Sequence, residues 1–301
     1  MLYSRAMEAA LSGDFEGTFP FEPRWFDAGD VRLHYVDEGA RDAATLLMLH
    51  GNPTWSYMYR RPIAELVARG HRCVAPDHMG FGRSDKPSRL GSYSLSTHVQ
   101  NLRALIDGLD LRDVVLVAHD WGGPIGLGAL VERRHRLHGV LLMNTWAWEL
   151  PSFLPPFLRE FRAEGLGEIL ALAGNLFVEA IPGGMANREV DPVMMGAYRA
   201  PFPDYWSRVG TLAFQRDIPL TERDASAPLM SGIHEQLPAL EVPVTLLWGM
   251  RDRVFQPVFL EQWRELLPDA KIVELDDAAH FVVEDRPDAV VEAADELARD
   301  A

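Results

Sequence analysis

Short apolar runs alternate with helix-length amphipathic segments along most of this chain of 301 residues. Each apolar run is long enough for one β-strand, and the segments between the runs are long enough for helices. This alternation predicts an α/β protein with a mostly parallel sheet flanked by helices. The predicted strands are Val31–Tyr35, Thr45–Leu49, Arg72–Ala75, Asp113–Ala118, Gly139–Asn144, Val242–Trp248 and Lys271–Leu275. The predicted helices are Ser96–Leu109, Gly122–Val131, Val258–Leu267 and Pro287–Arg299.

The region from about Leu150 to Arg223 interrupts this alternation, because it has no clear strand pattern and is rich in Pro, Phe, Leu, Met and Trp. One interpretation is a long helical excursion that buries its own apolar faces. Another is a helical cap, inserted between two strands of the sheet, that covers an apolar pocket, and the two interpretations are compatible. We expect residues 1–149 and 225–301 to form the main domain and residues 150–224 to form the cap.

Charge and composition argue against several classes of partner. The formal net charge is -15, which disfavours binding to nucleic acid or to an anionic membrane. The longest apolar runs have only the length of a strand, and Met1 to Asp14 lack the pattern of a signal peptide. We therefore expect a cytoplasmic protein. The single cysteine, Cys73, excludes an internal disulfide, and no Cys or His residues have zinc-like spacing, so we expect no metal or other cofactor.

A candidate nucleophile, Asp120, follows the apolar run Val114 to Ala118 and precedes a helix-length segment. Small residues surround it, namely Ala118, Gly122 and Gly123. A sharp strand-to-helix turn requires such neighbours, since larger side chains would collide with the strained backbone. An aspartate before a helix is often only an N-cap. The pattern Ala-x-Asp-x-Gly-Gly at the end of an apolar strand favours the catalytic interpretation.

A carboxylate at this turn, where many hydrolases have serine, indicates displacement at an sp³ carbon. A serine that displaced a leaving group from such a carbon would become an ether, which water does not cleave. Asp120 would instead become an ester, and hydrolysis of that ester at its carbonyl carbon regenerates the enzyme. An aspartate with a reference pKa of about 3.9 is also ionised at neutral pH without a general base.

The expected partners of the nucleophile follow it in the order acid and then histidine. His280 lies on a loop after the last apolar strand, where a general base is expected, although a surface histidine is the alternative. Asp252 lies just past the end of the strand Val242–Trp248, and Glu149, after the preceding strand, is the rival acid. We favour Asp252, because the loop to Glu149 is longer. His50 and His119 are interpreted as supporting residues.

Two further residues are candidates for binding charge that develops during the reaction. Asn52 follows an early strand within His50-Gly51-Asn52-Pro53, and Trp121 follows the candidate nucleophile. Their backbone N–H groups are the natural oxyanion hole for ester hydrolysis. Their side chains, an amide and an indole, are also hydrogen-bond donors that are suited to a departing halide. The alternative is that both residues only pack and cap the turn.

The sequence closely resembles the haloalkane dehalogenases of the α/β-hydrolase superfamily. The resemblance implies the α/β-hydrolase fold with an inserted helical cap, a small apolar substrate and a halide ion as product, with Asn52 and Trp121 as the halide-binding pair. The segments NTWAWELP and NLFVEAIPGG look like the third dehalogenase subfamily, whose triad is Asp-His-Asp, in agreement with Asp252. The matching motifs are HGNPTWSYMYR at 50–60, PDHMGFGRSDKP at 76–87, HDWGGPIG at 119–126, WGMRDRVF at 248–255 and HFVVED at 280–285.

Other families remain alternatives. β-Lactone decarboxylases of olefin biosynthesis are similar to the third subfamily and share the Asp-His-Asp set. Epoxide hydrolases also use an Asp nucleophile together with two cap tyrosines, for which Tyr198 and Tyr205 are candidates. Fluoroacetate dehalogenases differ in having Arg where this chain has Trp121. A catalytically inactive scaffold is disfavoured, because all three triad candidates are present.

Aromatic residues from the region around the predicted cap are candidates to line the pocket, although core packing would explain them equally well. They are Trp146, Trp148, Phe153, Phe157, Phe177 and Trp206.

Overall fold

The computed structural model describes residue 11 and residues 13–150, 156–187 and 189–299. Within these residues, eight strands form one sheet in the order β1-β2-β4-β3-β5-β6-β7-β8. The first two strands are antiparallel to their neighbours, and the other pairs are parallel. The strands are β1 (Arg24–Asp27), β2 (Arg32–Glu38), β3 (Thr45–Leu49), β4 (Arg72–Pro76), β5 (Val114–His119), β6 (Leu137–Met143), β7 (Val244–Gly249) and β8 (Lys271–Leu275).

Helices separate most of the strands. The α-helices are α1 (Arg60–Ala68), α2 (Leu95–Gly108), α3 (Gly122–Leu130), α4 (Pro156–Arg162), α5 (Leu176–Glu179), α6 (Pro192–Arg199), α7 (Val209–Asp217), α8 (Ala227–Gln236), α9 (Pro257–Leu266), α10 (Val282–Asp285) and α11 (Pro287–Ala298). Short 3-10 helices span Ser56–Tyr59, Leu90–Ser92, Val131–Arg136, Ile181–Gly184, Trp206–Arg208 and Leu237–Ala239, and a π-helix spans Glu168–Ala173.

Helices cover both faces of the sheet, as the alternation of the sequence predicts. Strands β3, β4 and β5 are buried at every residue, which requires a layer on each face. Helices α1 and α11 pack together as one group, and α2 and α8 pack against α3 as another. The chain therefore has the α/β-hydrolase fold that the sequence predicts.

The seven strands predicted from the sequence are present, with ends that differ by a few residues. The prediction missed β1, because four residues at the antiparallel edge of the sheet carry too little pattern. It also missed α1 and α8. Their apolar faces are small, with Ile63 and Leu66 buried in α1 and Met230 and Ile233 buried in α8.

Between β6 and β7, the described residues form helices and turns and contain no strand, which agrees with the break in the sequence pattern. Within the same described ranges, none of the helices combines the length and the apolar character needed to cross a membrane.

The parallel strands bring distant loops to one edge of the sheet. Strands β3, β5, β6, β7 and β8 are neighbours and run in the same direction. The loops that follow them therefore meet at the carboxyl end of the sheet, where ligands bind in open α/β sheets. Those loops carry Asn52, Asp120, Asn144, Asp252 and His280.

Candidate active site

The turn that carries Asp120 is strained and tightly enclosed. Asp120 has a φ of 52°, in the left-handed region that few residues other than glycine adopt. A Cβ on Gly51 would lie 2.1 Å from Asp120 Oδ1, and one on Gly122 would lie 2.3 Å from the carbonyl oxygen of Leu49. Glycine is therefore required on both sides of the turn, and the turn projects the carboxylate from the end of β5. The N-cap of α3 is Trp121, so Asp120 does not serve as the cap.

The Asp120 carboxylate lies among N–H donors. The backbone N–H of Asn52 donates to Asp120 Oδ1 over 2.7 Å, and the backbone N–H of Trp121 also donates to this carboxylate. Burial raises the pKa of Asp120 to about 6, because it outweighs the opposing effects of His280 and the two N–H groups. The carboxylate is thus still mainly ionised at neutral pH, although its pKa lies closer to neutral pH than the reference pKa of aspartate does.

Asp252 and His280 form a buried pair. His280 Nδ1 lies 2.9 Å from Asp252 Oδ2, and the Val254 N–H donates to Asp252 Oδ1 over 2.6 Å. Burial would raise the pKa of Asp252, but His280 and the donated hydrogen bonds hold it below its usual value. Burial would lower the pKa of His280, but the carboxylates of Asp252 and Asp120 raise it above its usual value. This pairing orients the imidazole and favours its protonated form.

The rival acid, Glu149, lies elsewhere. Its Oε1 accepts a hydrogen bond from Ser231 Oγ over 2.8 Å. The position after β6 is occupied instead by Asn144, whose Nδ2 donates to Asp252 Oδ2 over 2.9 Å and whose Oδ1 accepts the Gly249 N–H over 2.8 Å. Sequence reasoning treated Asn144 only as a strand end and missed this contact. The polar residue at the carboxyl end of an apolar strand was the available signal.

Other side chains support the loops of the site. His119 Nε2 lies 2.7 Å from the carbonyl oxygen of His280, and His50 Nε2 accepts the backbone N–H of His78 over 2.9 Å. The Asp285 carboxylate accepts the N–H of Ala279 over 2.8 Å, beside His280. The supporting positions expected for His50 and His119 are therefore observed, whereas sequence reasoning did not find Asp285.

The side chains of Asn52 and Trp121 are both buried and near Asp120, but they differ in their partners. Asn52 Nδ2 donates to the carbonyl oxygen of Thr211 over 3.0 Å, which leaves one amide hydrogen. The Trp121 ring stacks on Phe214 with centroids 4.6 Å apart, and it meets Trp146 edge-on. Among the described residues, no group accepts a hydrogen bond from the Trp121 indole N–H.

Two cavities adjoin Asp120. The larger, about 420 Å³, is also lined by Asn52 and His280, by several apolar side chains from the region between β6 and β7, and by residues of the loops after β7 and β8. The smaller, about 30 Å³, has room for one water-sized or halide-sized group and is lined by Trp121. Asp120, Leu158, Gln215 and Val254 border both cavities, so the two spaces are adjacent.

The expected aromatic lining is only partly correct. Phe177 lines the larger cavity and Trp146 the smaller one. Trp148 lines neither and packs on Phe259 and Trp263, and Trp206 is 53% exposed. An apolar sequence pattern does not distinguish a pocket wall from a surface or a core contact. Phe153 and the side chain of Phe157 lie outside the described residues.

The two tyrosines expected of an epoxide hydrolase do not reach these cavities. The Tyr198 hydroxyl is buried and donates to Glu284 Oε1. Tyr205 is 38% exposed and contacts Trp206. Neither residue lines the two cavities beside Asp120. An epoxide bound there would therefore lack the two tyrosine proton donors that an epoxide hydrolase requires.

The raised pKa of Asp120 predicts the pH dependence of any nucleophilic attack by this residue. Attack requires the ionised carboxylate, whose pKa is about 6. The rate of attack is therefore maximal at a pH well above this pKa and decreases as the pH falls below it. We expect the single-turnover rate of leaving-group release to fall about tenfold per pH unit below that pKa. Stopped-flow measurement of the first turnover checks this, and a rate unchanged down to the ordinary pKa of aspartate would contradict it.

Comparison with known proteins places this chain among hydrolases. A family model described as "Alpha/beta hydrolase family" matches residues 46–293. Haloalkane dehalogenase 2 of Mycobacterium tuberculosis is 38% identical over 279 residues, which are 91% of this chain and 94% of that protein. The cis-3-alkyl-4-alkyloxetan-2-one decarboxylase of Shewanella oneidensis is 37% identical over 278 residues, which are 90% of this chain and 86% of that protein.

Solved structures agree with these matches. Haloalkane dehalogenase DbeA from Bradyrhizobium elkani is similar with a TM-score of 0.85 and 31% identity, over 92% of this chain and 98% of that one. Haloalkane dehalogenase DpaA from Paraglaciecola agarilytica is similar with a TM-score of 0.80 and 33% identity, over 93% of this chain and 92% of that one.

Proposed function

Because this chain belongs to the alpha/beta hydrolase family and has haloalkane dehalogenases among its close relatives, we propose that it hydrolyses carbon–halogen bonds of haloalkanes. The observation that carries this proposal is that the buried Asp120 carboxylate and Trp121 line the same small cavity, and that the Trp121 indole N–H has no acceptor among the described residues. A carboxylate that faces an unoccupied donor is suited to displacing an anion from carbon.

In the first step, Asp120 attacks the carbon that bears the halogen. Oδ1 is held by the Asn52 N–H, so Oδ2 is the attacking oxygen. A carbon–oxygen bond forms, the carbon–halogen bond breaks, and the halide leaves with the bonding electron pair. The product is an alkyl ester of Asp120. The side-chain N–H groups of Asn52 and Trp121 stabilise the charge that develops on the halide.

In the second step, water hydrolyses the ester. His280 removes a proton from water, and the resulting hydroxide attacks the carbonyl carbon of the Asp120 ester. The backbone N–H groups of Asn52 and Trp121 stabilise the oxyanion. His280 then protonates the departing alkoxide to give the alcohol, and Asp120 loses its proton. The overall products are one alcohol, one halide and one proton.

Formation of the ester also prepares His280 for this step. The negative charge of Asp120 contributes to the raised pKa of His280 in the free enzyme. Esterification removes that charge, so the pKa of His280 falls and its neutral, basic form becomes more populated. A larger fraction of His280 can thus accept a proton from water after alkylation than before it.

We propose that residues 150–224 form the cap over this site and that residues 1–149 and 225–301 form the main domain. Leu158, Phe161 and Phe177 from the first range line the larger cavity, opposite the loops of the sheet. An apolar roof excludes water during alkylation and favours a small apolar substrate.

A second candidate function is decarboxylation of a β-lactone. It is favoured by the similarity to the oxetanone decarboxylases of Shewanella oneidensis and of Xanthomonas campestris, the latter 33% identical over 286 residues. The same carboxylate would then attack a ring carbon, and the leaving group would be a carboxylate that remains attached to the substrate until carbon dioxide is lost. Such a substrate has two alkyl arms and needs more space.

A substrate panel tests the proposed function. We expect bromoalkanes to be hydrolysed with equal release of bromide and protons, and more rapidly than the corresponding chloroalkanes, because carbon–halogen cleavage limits the displacement. The Asp120→Asn variant should show only background release. The panel includes one dialkyl β-lactone. Rapid release of carbon dioxide from the lactone, together with no release of bromide from any bromoalkane, would replace the proposed function with the second candidate.

A further inference from the structure

Gln215 is a buried amide at the junction of the two cavities, and neither the proposed mechanism nor the sequence motifs account for it. The residue is only 7% exposed. It lines both the larger cavity and the smaller one, each of which also contacts Asp120. Among the described residues, its Oε1 has no hydrogen-bond partner and its Nε2 has no acceptor.

A buried amide without hydrogen-bond partners destabilises the folded protein. A ligand that supplies the missing partner would explain why the residue is there. Polar side chains of this kind are few around the smaller cavity. Its other walls are Asp120, Trp121, Trp146, whose buried indole N–H also has no acceptor, and apolar residues, namely Leu150, Leu158, Ile218, Val254, Phe255 and Phe259. The donors among the residues that line this space are therefore the indole N–H groups of Trp121 and Trp146 and the amide of Gln215.

Helix α7 explains why Gln215 reaches this place. Thr211, Phe214 and Gln215 are spaced three and four residues apart, so they share one face of the helix. The carbonyl oxygen of Thr211 accepts the Asn52 amide over 3.0 Å, and the Phe214 ring stacks on Trp121. One face of α7 thus contacts both predicted halide-binding side chains and adds a third N–H donor beside them.

We propose that Gln215 is a specificity-determining residue that donates an N–H hydrogen bond from Nε2 to the departing anion, together with the indole N–H of Trp121. This inference rests on the proposed function and adds a donor that the predicted pair of Asn52 and Trp121 does not include. Because an amide can rotate to present either atom, an anion in the small cavity selects the nitrogen. Hydrogen bonds to a charged group are stronger than those between neutral groups, so loss of this donor should measurably weaken anion binding.

Halide affinity tests this proposal directly. Bromide binding beside Trp121 should quench tryptophan fluorescence saturably, and the Trp121→Phe variant should lose the saturable part. We expect Gln215→Met, which is similar in size and has no donor, to raise the Kd for bromide about tenfold or more. Gln215→Glu, which replaces the N–H donor with a charged oxygen at nearly the same shape, should raise it further. Gln236→Leu on α8, outside both cavities, is the matched control and should leave the Kd unchanged.

The leaving-group dependence distinguishes this role from a merely structural one. Chloride accepts hydrogen bonds more strongly than iodide, so loss of a donor should reduce kcat/KM for a chloroalkane more than for the corresponding iodoalkane. A structural defect would reduce both equally. Saturable bromide binding that disappears in Trp121→Phe but is unchanged in Gln215→Met would overturn the proposal and leave the proposed function intact. A wild-type enzyme without saturable halide binding and without bromoalkane turnover would overturn both.

Discussion

Replacement of His280 by phenylalanine is expected to turn the enzyme into a covalent trap that accumulates an alkyl ester on Asp120 and releases no alcohol. Asp120 is ionised without help from a base, so alkylation and halide release proceed. Hydrolysis stops, because the water near the ester has lost its proton acceptor. Mass spectrometry of the variant after incubation with 1,2-dibromoethane measures the expected 2-bromoethyl adduct, and peptide analysis locates it.

Two controls make this result specific. Adding Asp120→Asn to the His280 variant should abolish the adduct, since the nucleophile is then absent. The exposed His135, changed to phenylalanine in the same way, should leave turnover unchanged. Absence of an adduct on the folded His280→Phe protein would show that this histidine is needed before hydrolysis, and the proposed division of the two steps would be wrong.

The second large effect is expected for Asp252→Asn. The carboxylate of Asp252 is 2.9 Å from His280 Nδ1 and raises the pKa of that imidazole. An amide at this position removes the charge that orients and stabilises the imidazolium. A comparable change in serine hydrolases lowers kcat by about 10⁴, and we expect a loss of that order here. Steady-state release of alcohol and halide measures it.

Glu149→Gln is the matched control for this variant, because it makes the same chemical change at the rival acid. The Glu149 side chain accepts a hydrogen bond from Ser231 and does not contact His280, so its replacement should change kcat by no more than about twofold. A large loss in Glu149→Gln with a small one in Asp252→Asn would reverse the assignment of the acid. The Asp252 variant should also accumulate the Asp120 ester, since it affects the same step as the His280 variant.

Much of the fold follows from local sequence patterns. The central strands are short apolar runs separated by helix-length segments, and their burial on both faces depends on that pattern and on the helices between them. Strand β1 and helix α1 were missed because their own residues carry a weak pattern, and their positions depend on the elements against which they pack.

The sequence also predicted the residues of the candidate site. Asp120 was identifiable because its turn requires small neighbours that are adjacent in the chain, and Asp252 and His280 because each follows an apolar strand of a parallel sheet. The choice of Asp252 over Glu149 rested on the longer loop to Glu149 and on the resemblance to the third dehalogenase subfamily. The distances from His280 and the place taken by Asn144 supply the physical basis for it.

Only the tertiary structure decided which side chains face the reacting atoms. Gln215 lies 95 positions after Asp120 and is one polar residue within an otherwise ordinary helix, so nothing in its local sequence assigns it to the cavity. Trp206, nine positions before Gln215, is a large apolar residue of the kind that often lines a pocket, but it is half-exposed. A local pattern encodes the type of element and its buried face. Which surface meets that face is set by packing between distant segments, and that packing brings α7 onto Asn52 and Trp121.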